Sequence, residues 1–372
     1  TKSTMSFLDL SPALLIPLMI FGSAAVLLLA LYLAKPKPFL DGTRQSLKLA
    51  EIKVLSPDTK LFRFALPSEK HCFGLPLGKH VKIFCPNPTG VVAGKWNGRD
   101  DPEEGADEIQ RSYTPTSSEA DLGRADLVIK VYEGGKIDRF PDGGKMSQYF
   151  GRLKVGDAIS LKGPTGSIEY LGRGNWQYSK RQIKGMTHVG MLAGGTGITP
   201  MYQIVQEALR DSSDKTKFSL IFANQTLEDI LLLPELNDLA EKHPDRFAVH
   251  YTLDRPEASW EGSTGFITAE MISAHLPPPA ASTLIVMCGP PPMIKFACKQ
   301  NLDALAVLCV HKTGKGFGAA VSGTSMVRVV DVNVLALVTL AHLEHILAVA
   351  FFYVQAGRVG YAKERVSGSD WR

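Results

Sequence analysis

The sequence predicts a fold of the α/β plus all-β class: an N-terminal transmembrane helix, then a small antiparallel β-barrel, then a parallel sheet with covering helices. Three observations predict it. Residues 13–33 carry no charge and are long enough to span a bilayer. Residues 46–170 hold short β-rich segments separated by Gly, Pro and Asp. Beyond Lys184, strand and helix patterns alternate, which is typical of a parallel sheet.

The apolar run predicts a membrane anchor over residues 1–34. Lys35 and Lys37 follow it, whereas Lys2 and Asp9 precede it, so the positive-inside tendency places the rest of the chain in the cytosol. A cleaved signal peptide is the alternative, but its apolar region would be shorter and preceded by positive charge. The prolines of residues 35–45 predict a stiff linker.

Composition excludes some classes of function. A net charge of +4 over 372 residues argues against a nucleic-acid binder and leaves room for a local basic face. The five cysteines form no C-x-x-C pair, so neither a zinc site nor a disulfide framework is expected, and a reducing compartment fits best.

The barrel segments are "LKLAEIKVL", "KLFRFAL", "HVKIF", "ADLVIKVY" and "DAISLKG", interrupted by a short helix, "KMSQYFGRL". Between them, residues 86–110 are polar and predict an exposed loop. In "RSYTPTSS", strand alternation sends Arg111 and Tyr113 to one face, where a cation and a flat ring suit a ligand with phosphate and an aromatic system. "GGKMSQY" is a glycine turn opening a helix, again suited to pyrophosphate. A hairpin turn and a helix cap are the plainer alternatives.

The later strands are "THVGMLA", "FSLIFA", "FAVHYTL" and "STLIVMCG", with helices expected to begin near Pro200, Leu227 and Thr268 and after Pro292. Ligands of such sheets lie beyond the carboxyl ends of the strands. Gly194, Asp254 and Cys288 fall at three of these ends, which predicts one shared cleft.

A glycine-rich turn, "GGTGITP", joins the first of these strands to its helix. Thr199 suits an N-cap and Pro200 the first helical position. Free N–H groups at a helix start favour an anion such as phosphate. The turn matches neither a P-loop nor a Rossmann fingerprint, so a tight turn without a ligand is the alternative.

Eight motifs in order carry a family resemblance: Arg111-x-Tyr113-Thr114, "VIKVY", "GGKMSQY", "GPTG", "GGTGITPM", "FANQT", "YTLDR" and "CGPPPMI". Over residues 46–305 the sequence resembles the NADH-cytochrome b5 reductase family, within the ferredoxin-NADP reductase-like flavoproteins. The resemblance implies an FAD-binding β-barrel domain at residues 46–175 and a Rossmann-like NADH-binding domain at residues 184–305.

For FAD, the resemblance implies that Arg111 and Ser147 hold the pyrophosphate, that Tyr113 lies along the isoalloxazine, and that Thr114 hydrogen-bonds near N5. Backbone amides from Gly144 to Met146 assist, and Lys130 lies near the cofactor phosphates. The implied FAD residues are Arg111, Tyr113, Thr114, Val128, Lys130, Gly143, Gly144, Lys145, Met146 and Ser147.

For NADH, the resemblance implies that the turn from Gly195 to Thr199 cradles the phosphates, with Thr199 close to the flavin, and that Cys288 positions the nicotinamide. A carboxylate at Asp254 can accept hydrogen bonds from the adenosine ribose and would repel the extra phosphate of NADPH, so NADH should be preferred. The alternative for Asp254 is a solvated turn residue. The implied NADH residues are Gly195, Thr196, Thr199, Asp254, Cys288 and Pro290; Thr114, Thr199 and Cys288 are the expected catalytic residues.

The implied reaction takes hydride from NADH to FAD and passes single electrons to cytochrome b5, an acidic heme protein. Lys145, Lys180, Arg181 and Lys184 are candidates for its docking face, with an ordinary solvated face as the alternative. The implied membrane is the endoplasmic reticulum or the outer mitochondrial membrane. Another heme protein as acceptor, or a non-catalytic membrane protein with a reductase-like fold, are the alternatives.

The sequence departs from the family in three places. Ser112 replaces the more usual proline, and the loop at residues 86–110 is longer. Residues 306–372 match nothing in the family, which leaves the final strand in doubt. A mispredicted gene end or retained intron, an amphipathic or second membrane helix at residues 332–355, and a heme or metal site at His342 and His345 are the three interpretations.

Overall fold

A computed structural model describes residues 35–136, 138 and 140–305, together with the backbone of residues 328–331. Its first part is built on an antiparallel sheet of six strands. These strands are β1 (Arg44–Ser56), β2 (Thr59–Ala65), β3 (His80–Pro86), β4 (Glu108–Tyr113), β5 (Arg124–Lys130) and β6 (Ala158–Thr165). Two further short strands, Lys37–Pro38 and His71–Cys72, pair in parallel beside it.

The expected barrel is only partly formed. The strands are bonded in the order β4-β3-β6-β1-β2-β5, so within the described residues β4 and β5 remain the two edges of an open sheet. Helix α1 (Lys145–Arg152) contacts both of these edge strands. Its Phe150 is fully buried, with ring centroids 5.3 Å from those of both Phe62 and Tyr113. The helix therefore fills the gap that strand pairing would close in a barrel.

The prediction of an exposed loop at residues 86–110 is wrong in its middle part. Lys95–Trp96 and Arg99–Asp100 form a small hairpin, and the Trp96 ring is buried. Its indole N–H donates to the Gly143 carbonyl at 3.0 Å. Trp96 therefore attaches the middle of the loop to the turn before α1. A single buried aromatic ring is enough to hold this otherwise polar segment against the protein.

A three-stranded antiparallel meander follows the first sheet. It is formed by β7 (Ile168–Gly172), β8 (Asn175–Tyr178) and β9 (Arg181–Ile183). The strands β8 and β9 are not among those predicted from the sequence. Trp176 on β8 has no exposed surface and lies 4.6 Å, centroid to centroid, from the Tyr170 ring. This meander connects the first sheet to the second along the chain.

The second sheet is parallel, as predicted. Its strands are β10 (His188–Gly194), β11 (Lys217–Asn224), β12 (Phe247–Leu253), β13 (Ser263–Thr264), β14 (Thr283–Cys288) and β15 (Arg328–Asp331), in the order β13-β12-β11-β10-β14-β15. Its helices are α2 (Ile198–Arg210), α3 (Leu233–Lys242) and α4 (Ala269–His275), followed by a π-helical segment, Met293–Lys299, that continues into α5 (Gln300–Ala304).

The predicted start of α2 is wrong by two residues. Gly197 is the N-cap, and Thr199 already lies inside the helix, where its hydroxyl donates to the Thr196 carbonyl at 3.1 Å. Pro200 is tolerated because N–H groups of the first turn have no intrahelical acceptor. The start at Thr268 is confirmed, since its hydroxyl accepts the Met271 N–H at 3.3 Å.

The two sheets share one apolar core cluster. Val128 and Trp176 from the first part pack in the same cluster as Ile204 and Phe218 from the second. Polar side chains of α2 also cross the boundary: Gln206 donates to the Thr116 carbonyl at 3.1 Å, and Arg210 to the Ser118 hydroxyl at 2.9 Å. The helix that follows the glycine turn is therefore held against the segment that follows β4.

The described part of the chain includes no helix long and apolar enough to cross a membrane. The predicted anchor at residues 1–34, the apolar run at residues 332–355 and the pair His342 and His345 lie outside the described residues. The doubt about the final strand concerned residues 306–372. Backbone pairing of β15 with β14 gives the sheet a sixth strand from within residues 306–372.

Candidate active site

The parallel sheet brings four strand ends to one edge. In sheet order, β14 ends at Cys288, β10 at Gly194, β11 at Asn224 and β12 at Leu253, with Asp254 next in the chain. The predicted grouping of Gly194, Asp254 and Cys288 at carboxyl ends is therefore confirmed. Parallel sheets place ligands at this edge.

The glycine turn lies directly on Cys288. A Cβ at Gly197 would stand 2.2 Å from the Cys288 carbonyl oxygen, so only glycine allows this contact. Gly195 adopts a left-handed φ of +51°, and a Cβ there would meet nothing within 4 Å. Thr196 is exposed beside it, and so is Pro290, whose ring lies close to Gly194. The turn is thus closed toward the sheet and open on its outer side.

Asn224 is a site residue that the sequence analysis missed, because "FANQT" served only as a motif of the resemblance. Its side chain is buried, with 6% of its surface exposed. Neither its Oδ1 nor its Nδ2 has a hydrogen-bond partner among the described residues. A polar residue closing a buried apolar strand is the signal that could have identified it.

A second cluster surrounds Arg111 on β4. Its Nη1 and Nη2 lie 2.7 and 2.8 Å from the two carboxylate oxygens of Glu103. Lys145, at the start of α1, donates to Asp101 at 2.7 and 2.8 Å and to the Asn87 side chain at 2.9 Å. Glu103 and Asp101 belong to the long loop, and neither residue is part of a motif of the resemblance. Both cations of this site are therefore already paired with carboxylates.

Lys145 does not fit the predicted docking face. Only 2% of its side chain is exposed, because the ammonium group points into the cluster with Asp101 rather than to solvent. Lys180, Arg181 and Lys184 are exposed, at or next to β9. Of the four residues predicted for the docking face, these three remain candidates.

The turn before α1 is tightly built. Gly143 has a φ of +65°, and a Cβ there would stand 2.5 Å from the Tyr132 carbonyl oxygen. The Gly144 N–H donates to that same carbonyl at 2.9 Å. The Ser147 hydroxyl accepts the Tyr132 N–H at 3.1 Å and donates to the Gly144 carbonyl at 3.2 Å. First-turn N–H groups at Lys145 and Met146 have no intrahelical acceptor and can serve a ligand.

Thr114 follows β4 and is 3% exposed, and its hydroxyl has no hydrogen-bond partner among the described residues. The neighbouring Tyr113 ring is half-buried and meets Phe150 edge to face. Thr114 follows a strand of the first sheet, and Asn224 ends a strand of the second. Both are buried polar side chains without a hydrogen-bond partner among the described residues.

Lys130, at the end of β5, forms ion pairs with one carboxylate from each half of the described chain. Its ammonium group lies 3.0 Å from the Asp58 carboxylate and forms a second, short ion pair with Asp229, which follows β11. Burial lowers the pKa of Lys130, but the two carboxylates outweigh that effect and raise it. Val128, two residues earlier, packs its side chain in the shared core cluster.

A cleft of about 290 Å³ is lined in part by Leu253, the residue before Asp254. Burial raises the pKa of the Asp254 carboxyl, with Arg255 opposing the shift. The backbone N–H of Asp254 donates to the Asn224 carbonyl at 3.0 Å, which extends the pairing of β12 with β11. The cleft is lined by Leu227, Leu253, Glu257, Ser259, Trp260, Glu261 and Gly262.

Comparison with known proteins identifies the family. An oxidoreductase FAD-binding domain matches residues 46–96 and 101–170, and an oxidoreductase NAD-binding domain matches residues 191–299. NADH-cytochrome b5 reductase 2 of Gallus gallus is 49% identical over 256 residues, covering 68% of this chain and 79% of that protein. The Homo sapiens protein of the same name is 46% identical over 264 residues, covering 70% and 90%. The chain belongs to the NADH-cytochrome b5 reductase family.

A solved structure agrees with this assignment. The cytochrome b5 reductase domain of Ulva prolifera nitrate reductase is 38% identical, with a TM-score of 0.66, and the match covers 78% of this chain and 99% of that one. This reductase is therefore an NADH-dependent FAD oxidoreductase, as the resemblance implied, and the alternative of a non-catalytic protein is not supported.

The residues present fit FAD and a nicotinamide nucleotide. Thr114 offers an unpartnered hydroxyl where the resemblance expects flavin N5. The open side of Gly195 and the free first-turn N–H groups of α1 offer two places where a phosphate can approach the backbone.

Proposed function

We propose that this reductase oxidises NADH and delivers the electrons one at a time to cytochrome b5. Bound FAD supplies the conversion of a hydride into single electrons. The observation that supports this proposal most directly concerns Thr114 and Asn224, on the two sides of the domain boundary: both are buried, and their side chains have no hydrogen-bond partner within the described part of the chain. Such groups cost stability unless a ligand completes their hydrogen bonds.

For FAD, we assign the pyrophosphate to Arg111 and to the backbone N–H groups of Lys145 and Met146. The Thr114 hydroxyl would bond near N5, with Tyr113 along the ring system. Ser147 would act by fixing the turn, since its hydroxyl is already bonded within the protein. Lys130, Val128, Gly143 and Gly144 would hold the surrounding backbone in place.

For NADH, the turn of Gly195, Thr196 and Thr199 would receive the phosphates, and Cys288 with Pro290 would bound the nicotinamide. The close contact of Gly197 with Cys288 supports this arrangement. We place the FAD-binding domain at residues 46–175 and the NADH-binding domain at residues 184–305, with residues 306–372 as a C-terminal extension that contributes β15.

Preference for NADH over NADPH would come from Asp254, whose carboxylate would repel a second ribose phosphate. The test is anaerobic bleaching of the flavin spectrum by NADH and by NADPH. Asp254→Ser should reduce the ratio of the bleaching rate with NADH to the bleaching rate with NADPH by about tenfold, equivalent to ~1.4 kcal/mol. Asp238→Asn, an exposed change on α3, is the control. An unchanged preference in Asp254→Ser would remove this role.

Cytochrome b5 as acceptor is supported by the names of the relatives and by the exposed cations Lys180, Arg181 and Lys184. Complementary charge steers such encounters and weakens with salt. Replacing Lys180 and Arg181 by Glu should raise the KM for cytochrome b5 about tenfold at low salt. Ferricyanide reduction should not change. Lys242→Glu, a single charge reversal at an exposed position on α3, is the control for the reversal of one charge elsewhere on the surface.

If the double reversal leaves cytochrome b5 kinetics unchanged, this face is not the docking surface. If the wild-type protein reduces ferricyanide but not cytochrome b5, another heme protein is the acceptor.

Membrane attachment would come from residues 13–33, with the catalytic domains in the cytosol at the endoplasmic reticulum or outer mitochondrial membrane. The full chain should cosediment with phosphatidylcholine vesicles, and a chain beginning at Lys35 should not. Equal sedimentation of both would exclude this anchor.

A further inference from the structure

Asn224 combines three properties that a structural asparagine does not normally have together. It is buried, it ends a central strand, and both polar atoms of its side chain lack a hydrogen-bond partner among the described residues. Buried amides in native proteins are almost always satisfied. An asparagine in this state implies a partner that the described residues do not supply.

The strand pattern shows which way Asn224 faces. Phe218, Leu220 and Phe222 alternate along β11 with the same period and pack in the core cluster shared by the two sheets. Asn224 continues that series at the carboxyl end. Its side chain is therefore on the α2 side of the sheet, the side turned toward the FAD-binding half, where a nucleotide between the two domains has to lie.

The position of Asn224 along the sheet edge indicates which part of the nucleotide lies next to it. Cys288, at the proposed nicotinamide end, is two strands away, and Asp254, at the proposed adenosine end, is one strand away. Asn224 thus lies under the middle of the molecule, between the two bases. The groups available there are the pyrophosphate and the two riboses.

The hydrogen-bonding chemistry of Asn224 decides between them. Its side chain has a free acceptor, Oδ1, and a free donor, Nδ2. A phosphate offers acceptors alone and would leave Oδ1 unsatisfied, whereas a ribose hydroxyl both donates and accepts. We propose that Asn224 binds ribose hydroxyls of the nicotinamide nucleotide through both atoms, an inference that rests on the proposed NADH site.

The test is Asn224→Leu, which keeps the side-chain size and removes both polar atoms. Calorimetry of the FAD-loaded protein should show at least tenfold weaker binding of NAD⁺ and of ADP-ribose. The melting temperature without nucleotide should be unchanged or higher, because the substitution removes no hydrogen bond to any described residue. A purely structural asparagine would give the reverse pattern.

Asn301→Leu is the matched control. Asn301 donates to the carbonyls of Ile267 and Ala297 at 2.8 and 2.7 Å, so its replacement should lower the melting temperature and leave nucleotide affinity intact.

Three outcomes would overturn the inference. Unchanged affinity for both ligands in Asn224→Leu would exclude the contact, and a lower melting temperature with normal affinity would make Asn224 structural. Loss of NAD⁺ affinity alone, with ADP-ribose binding retained, would move the contact to the nicotinamide carboxamide. Failure of the wild-type protein to bind either ligand would instead refute the proposed NADH site.

Discussion

Arg111 and Glu103 form a two-pronged ion pair, in which Nη1 and Nη2 of the guanidinium lie 2.7 and 2.8 Å from the two carboxylate oxygens. The arginine comes from an edge strand of the first sheet and the carboxylate from the long loop that departs from the family pattern. The residue we assign to the FAD pyrophosphate is thus already neutralised from within the chain.

The first prediction concerns FAD affinity. Glu103→Gln should bind FAD about tenfold more tightly, because an amide competes less strongly than a carboxylate for the guanidinium; tenfold corresponds to ~1.4 kcal/mol. Quenching of flavin fluorescence by the apoprotein measures this affinity. Glu104→Gln, an exposed change of the same charge in the same loop, should have no effect. Equal or weaker binding by Glu103→Gln would show that Glu103 orients Arg111 rather than competing for it.

The second prediction concerns acid stability. Hydrogen bonds from Arg111 hold the pKa of the Glu103 carboxyl below its ordinary value of 4.5. A lowered pKa in the folded state stabilises the protein only while the carboxyl is ionised. The contribution is therefore full above about pH 4.5 and is lost as the pH falls through the lower folded value. The melting temperature of wild type should exceed that of Glu103→Gln at pH 7, and the difference should shrink in acid.

A difference in melting temperature that stays constant from about pH 7 to about pH 3.5 would contradict this linkage. Glu104→Gln provides the baseline for general acid effects.

The third prediction concerns Thr114. Thr114→Val removes the unpartnered hydroxyl and keeps the shape of the side chain. Flavin reduction by NADH should slow by roughly tenfold, the value of one hydrogen bond of ~1.4 kcal/mol, while stability should stay level or rise. Stopped-flow absorbance and thermal unfolding measure the two effects. Normal reduction kinetics would remove Thr114 from the catalytic residues.

Thr216→Val is the control for that experiment. The Thr216 hydroxyl is buried and lies 3.1 Å from the Tyr170 hydroxyl, at the opposite end of β11 from Asn224. Its replacement should lower stability without changing flavin reduction.

The fourth prediction concerns the contact between the two halves. The Tyr170 hydroxyl forms a short hydrogen bond with buried Asp214 and accepts the Gly174 N–H at 3.2 Å. Tyr170→Phe should lower the free energy of unfolding by about 1–3 kcal/mol, because Asp214 loses a buried donor. Urea denaturation measures the change. Tyr149→Phe should be near neutral, since that hydroxyl lies 3.5 Å from its acceptor, the Ala158 carbonyl.

The local sequence pattern predicted the structure correctly wherever a residue's environment depends on its near neighbours in the chain. The β-rich segments of the first sheet and the alternation in the second predicted their strands, and three strand ends were placed correctly at one edge. Errors arose where distant segments meet. Lys145 appeared to be a surface cation, but its partner Asp101 lies 44 residues away in the chain. The two-residue error at α2 arose because Thr-Pro resembles a cap, whereas the N-cap is Gly197, which lies against the Cys288 carbonyl.

The sequence by itself determined the class of this protein, because eight spaced motifs and two hydrophobic periodicities are properties of the chain's order. Tertiary structure decided which polar groups are free to act. Arg111 and Lys145 are paired by carboxylates from one loop, whereas Thr114 and Asn224, one in each half, are buried without side-chain hydrogen-bond partners in the part of the chain that the structure describes. Satisfaction of a buried polar group depends on what the fold brings within about 3 Å of it, and sequence order does not record that distance.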